Sequence, residues 1–486
     1  MDELFIKPSV PLGEERIRLS PLDQQNKRLY VNVLLIFCLD QRAAVGDIVS
    51  HLKKSLGIAL SGTPDFTSTV RPLPGSKRKE LELSLGPESG VPLRIVYHDG
   101  SIMNPTDQRN TPEDGSYVDL TTINFSDVET SEKFLFVPNV SCEDPCPEGL
   151  PALLVQINLV KGGLVLGLAW HHAVSDAWGI YILLSSWALH TKTLLMNGTP
   201  GTIEAPREQI RERWRLEYGS QDATLAQFPA YVIDPARRSP LSSSSPHLLD
   251  RPSSEVINPM VSTWYFGSEQ LQSLRSMLSK AEVEDSTQFT QSEAVTALVW
   301  KHLSQARLLH HQAPEGTSLL SSPIDYRSRV KPLFHDQFLG NMASPSFGVR
   351  VPLGEVCAES TPQSLAKLAG IVRNTILAYD EKSMRAFIGL LESLPTVTDL
   401  ALGCDAFPGP DLRVTDLSGV DRFDQDWGEP LGDPICVRTG FLERGIAYFL
   451  PKDRIGGFEV QLQCEREALE RLERDEIFTR FAQLRC

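Results

Sequence analysis

The sequence predicts an α/β protein built as two similar domains joined by a long crossover. Three observations lead there. Apolar strand-like runs alternate with amphipathic helix-like segments up to residue 198, the same alternation resumes at residue 257, and the stretch between them has a different texture. With 486 residues, 41% of them hydrophobic, the chain is long and apolar enough for more than one core.

In the first domain, residues 1–198, the apolar run Tyr30 to Asp40 reads as a strand and Ala44 to Leu56 as a helix. Leu93 to His98, Leu153 to Leu159 and Leu164 to His171 read as further strands. A long helix through Ile180 to Leu195 then ends at Asn197-Gly198, a helix-stop pair. The crossover, residues 199–256, opens with a charged helix at Arg207 to Tyr218 and continues into the Pro- and Ser-rich stretch Pro235 to Ser254.

In the second domain, residues 257–486, strands are expected at Val261 to Phe266, Leu319 to Ile324, Leu412 to Val414 and Phe458 to Gln463. Helices are expected after Ser268, which would cap one, at Ser292 to Gln305, and at Arg466 to Gln483.

A formal charge of -15 argues against nucleic acid or anionic lipid as partner, because a phosphate footprint needs clustered Lys and Arg. The apolar runs are too short to span a bilayer, and residues 1–10 lack the apolar stretch of a signal peptide. A cytoplasmic setting with reduced cysteines is therefore expected. The eight cysteines form no zinc-type grouping, and the histidines outside the central pair form no spaced ligand set, so no metal is expected. Gly-x-Ser-x-Gly, dinucleotide-binding and P-loop patterns are absent.

The sharpest chemical signal is Trp170-His171-His172-Ala173-Val174-Ser175-Asp176-Ala177-Trp178-Gly179, where a strand runs into a helix. Such a junction holds side chains rigidly at a cleft, and an imidazole fixed there suits a general base near neutral pH. The bland alternative is that the histidines end a strand and Asp176 caps a helix. A second cluster, Asp424-Gln425-Asp426-Trp427-Gly428-Glu429-Pro430, reads alone as an acidic Gly/Pro loop around a packed tryptophan.

Taken together, the clusters resemble the BAHD acyltransferases, in particular the fungal branch with the trichothecene acetyltransferases. That family carries His-x-x-x-Asp-Gly in mid-chain and Asp-Phe-Gly-Trp-Gly near the C-terminus. Further likeness lies in Leu19-Ser20-Pro21-Leu22-Asp23, in Ser292 to Trp300, in Asp325-Tyr326-Arg327-Ser328-Arg329 and in Gly340-Asn341. The resemblance implies two chloramphenicol-acetyltransferase-like domains with a central solvent channel between them. It also implies an acyl-CoA cosubstrate, acetyl-CoA by default, with no permanently bound cofactor, a small-molecule acceptor, here a secondary metabolite, and a monomeric protein.

Carried over residue by residue, the resemblance makes His172 the general base for O-acylation without an acyl-enzyme. Asp176 would support the base by pairing with Arg327, or failing that Arg329. Asp424 and Gly428 would be architectural, and the Trp427 indole a candidate to steady the oxyanion. Arg329 and Lys331, a basic pair near a strand end, are read with Ser292 as coenzyme A contacts.

The chain departs from the family at Ala177, where the motif has glycine, and at Gln425-Asp426, where it has Phe-Gly. Asp426 should face solvent or a basic partner, since beside the thioester it would oppose the oxyanion. Two other readings stay open. One is a condensation domain fed by carrier-protein thioesters, and the other a non-catalytic ligand-binding module on the same scaffold.

Overall fold

The structure is a computed structural model. It describes residues 2–39, 44–98, 133–137, 148–160, 162–199, 211–233, 260–281, 288–312, 315–407, 409–420, 425–439 and 445–485. Two large sheets with separate hydrophobic cores organise it, consistent with the mixed α/β expectation.

The first sheet has six strands, in spatial order Asp2–Ile6, Val91–Tyr97, Leu153–Val160, Gly163–His171, Tyr30–Cys38 and Cys436–Arg438. Its centre is Gly163–His171, buried along its whole length, which explains the unbroken apolar run that marked it as a strand. Gly167 has no substitute there, because a Cβ would lie 2.2 Å from the Phe134 carbonyl oxygen. The helices Val45–Gly62 and Ala177–Asn197 pack on each other and cover one face. The second helix ends as the sequence indicates, with Gly198 in the left-handed region at φ 67°.

The second sheet has seven strands, in order Phe347–Pro352, Thr317–Ser322, Leu412–Asp416, Ile446–Phe449, Phe458–Cys464, Met260–Phe266 and Gln483–Leu484. Gln291–Ala306, begun by a capping box of Thr290 and Glu293, packs with Pro362–Ala378 beside it.

Four features differ from the sequence reading. The second-domain boundary is crossed: Cys436–Arg438 pairs with Leu34–Ile36 in the first sheet, and Trp427 and Leu431 sit in the first core. The crossover is not only a spacer. Its described part forms 3-10 turns at Arg213–Leu216, where the latter part of the charged helix was expected, and at Leu225–Gln227, and a strand, Tyr231–Ile233, paired with Leu400–Leu402; residues 207–210 of that helix and the Pro- and Ser-rich stretch 235–254 lie outside the described residues. The closing helix stops at Glu473, and Asp475 caps a new short helix, Glu476–Thr479. Gly267 is the N-cap where Ser268 was expected; Ser268 is the first helical residue. Among the described residues, no helix is long and apolar enough to cross a membrane.

Candidate active site

The strand Gly163–His171 places both histidines at its exit, and their environments separate them. His171 is fully buried opposite Tyr30, its Nδ1 accepting from Ala173 N at 3.2 Å. Burial, with smaller contributions from Arg28 and His172, pushes its pKa down to about 3, so it stays neutral. His172 is half-buried, reachable where its neighbour is sealed. Its backbone is fixed from both sides: its N–H donates to Leu29 O at 2.9 Å, and its carbonyl accepts from Asn341 Nδ2 at 3.0 Å.

Asp176 points away into an anchoring network. Its Oδ1 accepts from Trp178 N at 3.1 Å and Gly179 N at 3.4 Å, capping the helix. Arg327 grips both carboxylate oxygens, Nη1 to Oδ2 at 3.1 Å and Nη2 to Oδ1 at 3.0 Å, and Met342 N donates to Oδ2 at 2.8 Å. Arg327 also donates to Asp325 and to the carbonyls of Phe338 and Gly340. Burial works against its charge, but Asp176 and Asp325 outweigh that and its pKa is raised.

The helix therefore starts where the second domain touches it. Trp178 Nε1 donates to Asp336 O at 2.7 Å, and Gly179 faces Leu339 so closely that a Cβ would sit 2.8 Å from its carbonyl oxygen. Ala177, in place of the family glycine, is simply the first helical residue.

The other predicted residues lie elsewhere. Trp427 is buried between Phe37 and Trp187, at ring-centroid distances of 5.5 and 5.4 Å. Phe37 pairs with Leu164, seven residues along the strand from the Tyr30–His171 pair, or about 23 Å at ~3.3 Å per residue. The indole therefore cannot steady an oxyanion at His172, and that assignment is corrected to core packing. Gly428 adopts φ +79° against Lys192, and its architectural place is in this distant corner. Asp426 is half-exposed and pairs with Lys192 at 2.7 Å, which together with the Gly428 N–H lowers its pKa. Asp424 falls outside the described residues.

Of the proposed coenzyme A contacts, Arg329 is engaged with a helix end. Its Nη1 donates to the carbonyls of Ile376, at 2.8 Å, and Tyr379, closing the end of the helix Pro362–Ala378. Lys331 is exposed, its backbone N–H donating to Glu381, and the Ser292 hydroxyl donates to Asp416. Neither has a described contact with the His172–Asp176 loop. Among the described residues, no cluster suited to a metal ion occurs.

Sequence reasoning missed Arg213 and Asp65. The Arg213 guanidinium donates to Val174 O at 2.9 Å and pairs with Asp23 and Asp65, all within the buried floor of the loop. No local pattern announces this, since its partners lie 190 and 148 residues away.

Comparison with known proteins gives the chain a family. Residues 116–467 match the Transferase family. The chain is 50% identical over 487 aligned residues to acyltransferase cm3D of Cordyceps militaris, covering 100% of both. It is 45% identical to acyltransferase easC of Emericella nidulans, covering 100% of this chain and 98% of that relative. Among solved structures, Fusarium graminearum TRI101 in complex with coenzyme A and T-2 mycotoxin superposes with a TM-score of 0.72 at 17% identity, covering 97% of this chain and 100% of that one. With a family match over most of its length and relatives at about half identity from end to end, the chain belongs to the Transferase family, the BAHD acyltransferases, beside their fungal members.

Proposed function

We propose that this acyl-CoA-dependent acyltransferase is an O-acyltransferase, with acetyl as default donor, that acylates a hydroxyl of a small-molecule secondary metabolite using His172 as general base. The observation that carries the reading is the contrast between the two imidazoles. His171 is sealed and neutral, while His172 is half-buried and held by its backbone at the seam of the two domains.

In this reading coenzyme A and acceptor meet at His172 from opposite ends of a channel between the domains. The imidazole takes the hydroxyl proton as the oxygen attacks the thioester carbonyl. The tetrahedral intermediate then expels the CoA thiolate, which receives that proton from the imidazolium, and no acyl-enzyme forms. The acyltransferase names of the Cordyceps and Emericella relatives, and the coenzyme A and mycotoxin bound by TRI101, support donor and acceptor class.

The test is thiol release from acetyl-CoA with a panel of alcohols and amines, comparing wild type with His172→Ala. The variant should lose about 10²–10⁴-fold in kcat while still binding coenzyme A. Near-normal turnover in His172→Ala refutes the base. A wild-type enzyme that needs a carrier-protein thioester and ignores free acyl-CoA refutes the donor.

A further inference from the structure

We infer that Asp23 and Arg213 are positioning residues for His172, which together set the backbone of the loop that carries the base. The inference rests on His172 being that base. The loop from His172 to Asp176 joins a strand to a helix, and two of its carbonyls are taken by side chains. Asn341 Nδ2 donates to His172 O at 3.0 Å, and Arg213 Nη2 donates to Val174 O at 2.9 Å.

Both grips return to one carboxylate. Asp23 Oδ1 accepts from Asn341 N at 2.8 Å and Asn341 Nδ2 at 2.9 Å, and Asp23 Oδ2 accepts from Arg213 Nε at 3.1 Å. Asp23 cannot swing away, because Ser20 N and Oγ donate to the same Oδ2 in a capping box at the start of the short helix Pro21–Gln25. Asn341 comes from the second domain, Arg213 from the crossover and Asp23 from the opening helix, so three remote segments converge beneath one loop.

Burial shows that the arrangement is built. Asp23 is 0% and Arg213 2% exposed, and a charge so placed persists only when compensated. Asp65 pairs with the far side of Arg213 and also with Arg211, giving two cations against two carboxylates. Burial disfavours the Arg213 charge, but the two carboxylates prevail and its pKa is raised. Asp65 reaches the loop only through Arg213, which it anchors.

Because a misplacement of about 1 Å in a catalytic group costs on the order of 10²-fold, loss of either grip should appear in kcat. Asp23→Asn keeps the shape but not the charge, and Arg213→Lys keeps the charge but not the fork that spans Val174, Asp23 and Asp65. Each should lower kcat per folded molecule by about 10–100-fold, leave KM for acetyl-CoA within about twofold, and move the acidic limb of the kcat/KM pH profile. Glu465→Gln, which loosens the separate Arg307–Glu465 ion pair outside this network, should lower the melting temperature yet keep kcat within about twofold.

Wild-type kcat in Asp23→Asn overturns the inference, as does an equal kcat loss in Glu465→Gln, which would make the effect one of general stability. Should Asp23→Asn not fold, Asn341→Ala cuts the same thread and leaves the ion pairs in place, and full kcat there is equally decisive. His172→Ala runs alongside. Turnover in that variant removes the base and this inference with it, whereas an inactive His172→Ala beside a fully active Asp23→Asn overturns the positioning alone.

Discussion

Arg327 reaches across from the second domain and holds both oxygens of Asp176, the carboxylate that starts the helix behind the base. Both side chains are nearly sealed from water, at 8% and 6% exposure, so each without the other would be an uncompensated buried charge. Removing one partner should cost about 3–5 kcal/mol. In a cycle of Asp176→Asn, Arg327→Met and the double variant, urea denaturation should show strong non-additivity, the double variant being little worse than either single one. Independent, additive losses would mean that the two do not act as a pair.

His171 supplies a pH dependence with a definite sign. Its folded pKa, about 3, lies below the ordinary 6.5, so as pH falls below about 6.5 the unfolded chain takes up a proton that the folded chain refuses. Its contribution to stability is full above that pH and is lost as pH drops toward 3, by about 1.4 kcal/mol per unit. His171→Asn keeps an acceptor for the Ala173 N–H but does not titrate. Between pH 7 and pH 5 the variant should therefore lose visibly less stability than wild type by urea midpoint, and equal losses would show that this imidazole is not the group responsible.

How much of this was legible follows from sequence distance. His172 and Asp176 stood out because strand, turn and helix cap are contiguous, and the strands around them because Gly163–His171 and Tyr30–Cys38 are apolar without interruption. The partner Arg327 was legible only through a family motif, since 151 residues separate it from Asp176. Arg213 was illegible for the same reason without a motif to help. Cys436–Arg438, at three residues, is too short for any period to show, and its place in the first sheet is decided by pairing with Leu34–Ile36. The closing helix was over-extended because Phe478 and Phe481 continue an apolar pattern, while the break is made locally by Asp475 accepting from Ile477 N and Phe478 N.

At the altered loop, the two neighbouring positions Asp426 and Gly428 should behave oppositely. The Lys192–Asp426 pair is 39% and 50% exposed, so Asp426→Ala should change stability by less than about 1 kcal/mol and leave kcat alone. Gly428 sits at φ +79° with a would-be Cβ 2.8 Å from Lys192 Cα, so Gly428→Ala should cost about 1–3 kcal/mol in backbone strain before the clash is counted. Paired thermal melts of the two variants check this, and a Gly428→Ala melting temperature equal to wild type would contradict the close approach.

Trp427 offers the cleanest separation of packing from chemistry. Its indole is 1% exposed, its Nε1 finds no hydrogen-bond acceptor among the described residues, and its ring contacts are Phe37 and Trp187, far down the strand from His171. Replacing the ring with a smaller one removes contacts but no polar partner, so Trp427→Phe should lower stability by about 1–2 kcal/mol. Loss of a true oxyanion donor would instead cost about 10²–10³-fold in kcat. Thiol-release kinetics normalised to folded protein should give Trp427→Phe a kcat within about twofold of wild type. A hundredfold fall at an unchanged melting temperature would return the indole to the reaction centre and show that the loop moves there during turnover.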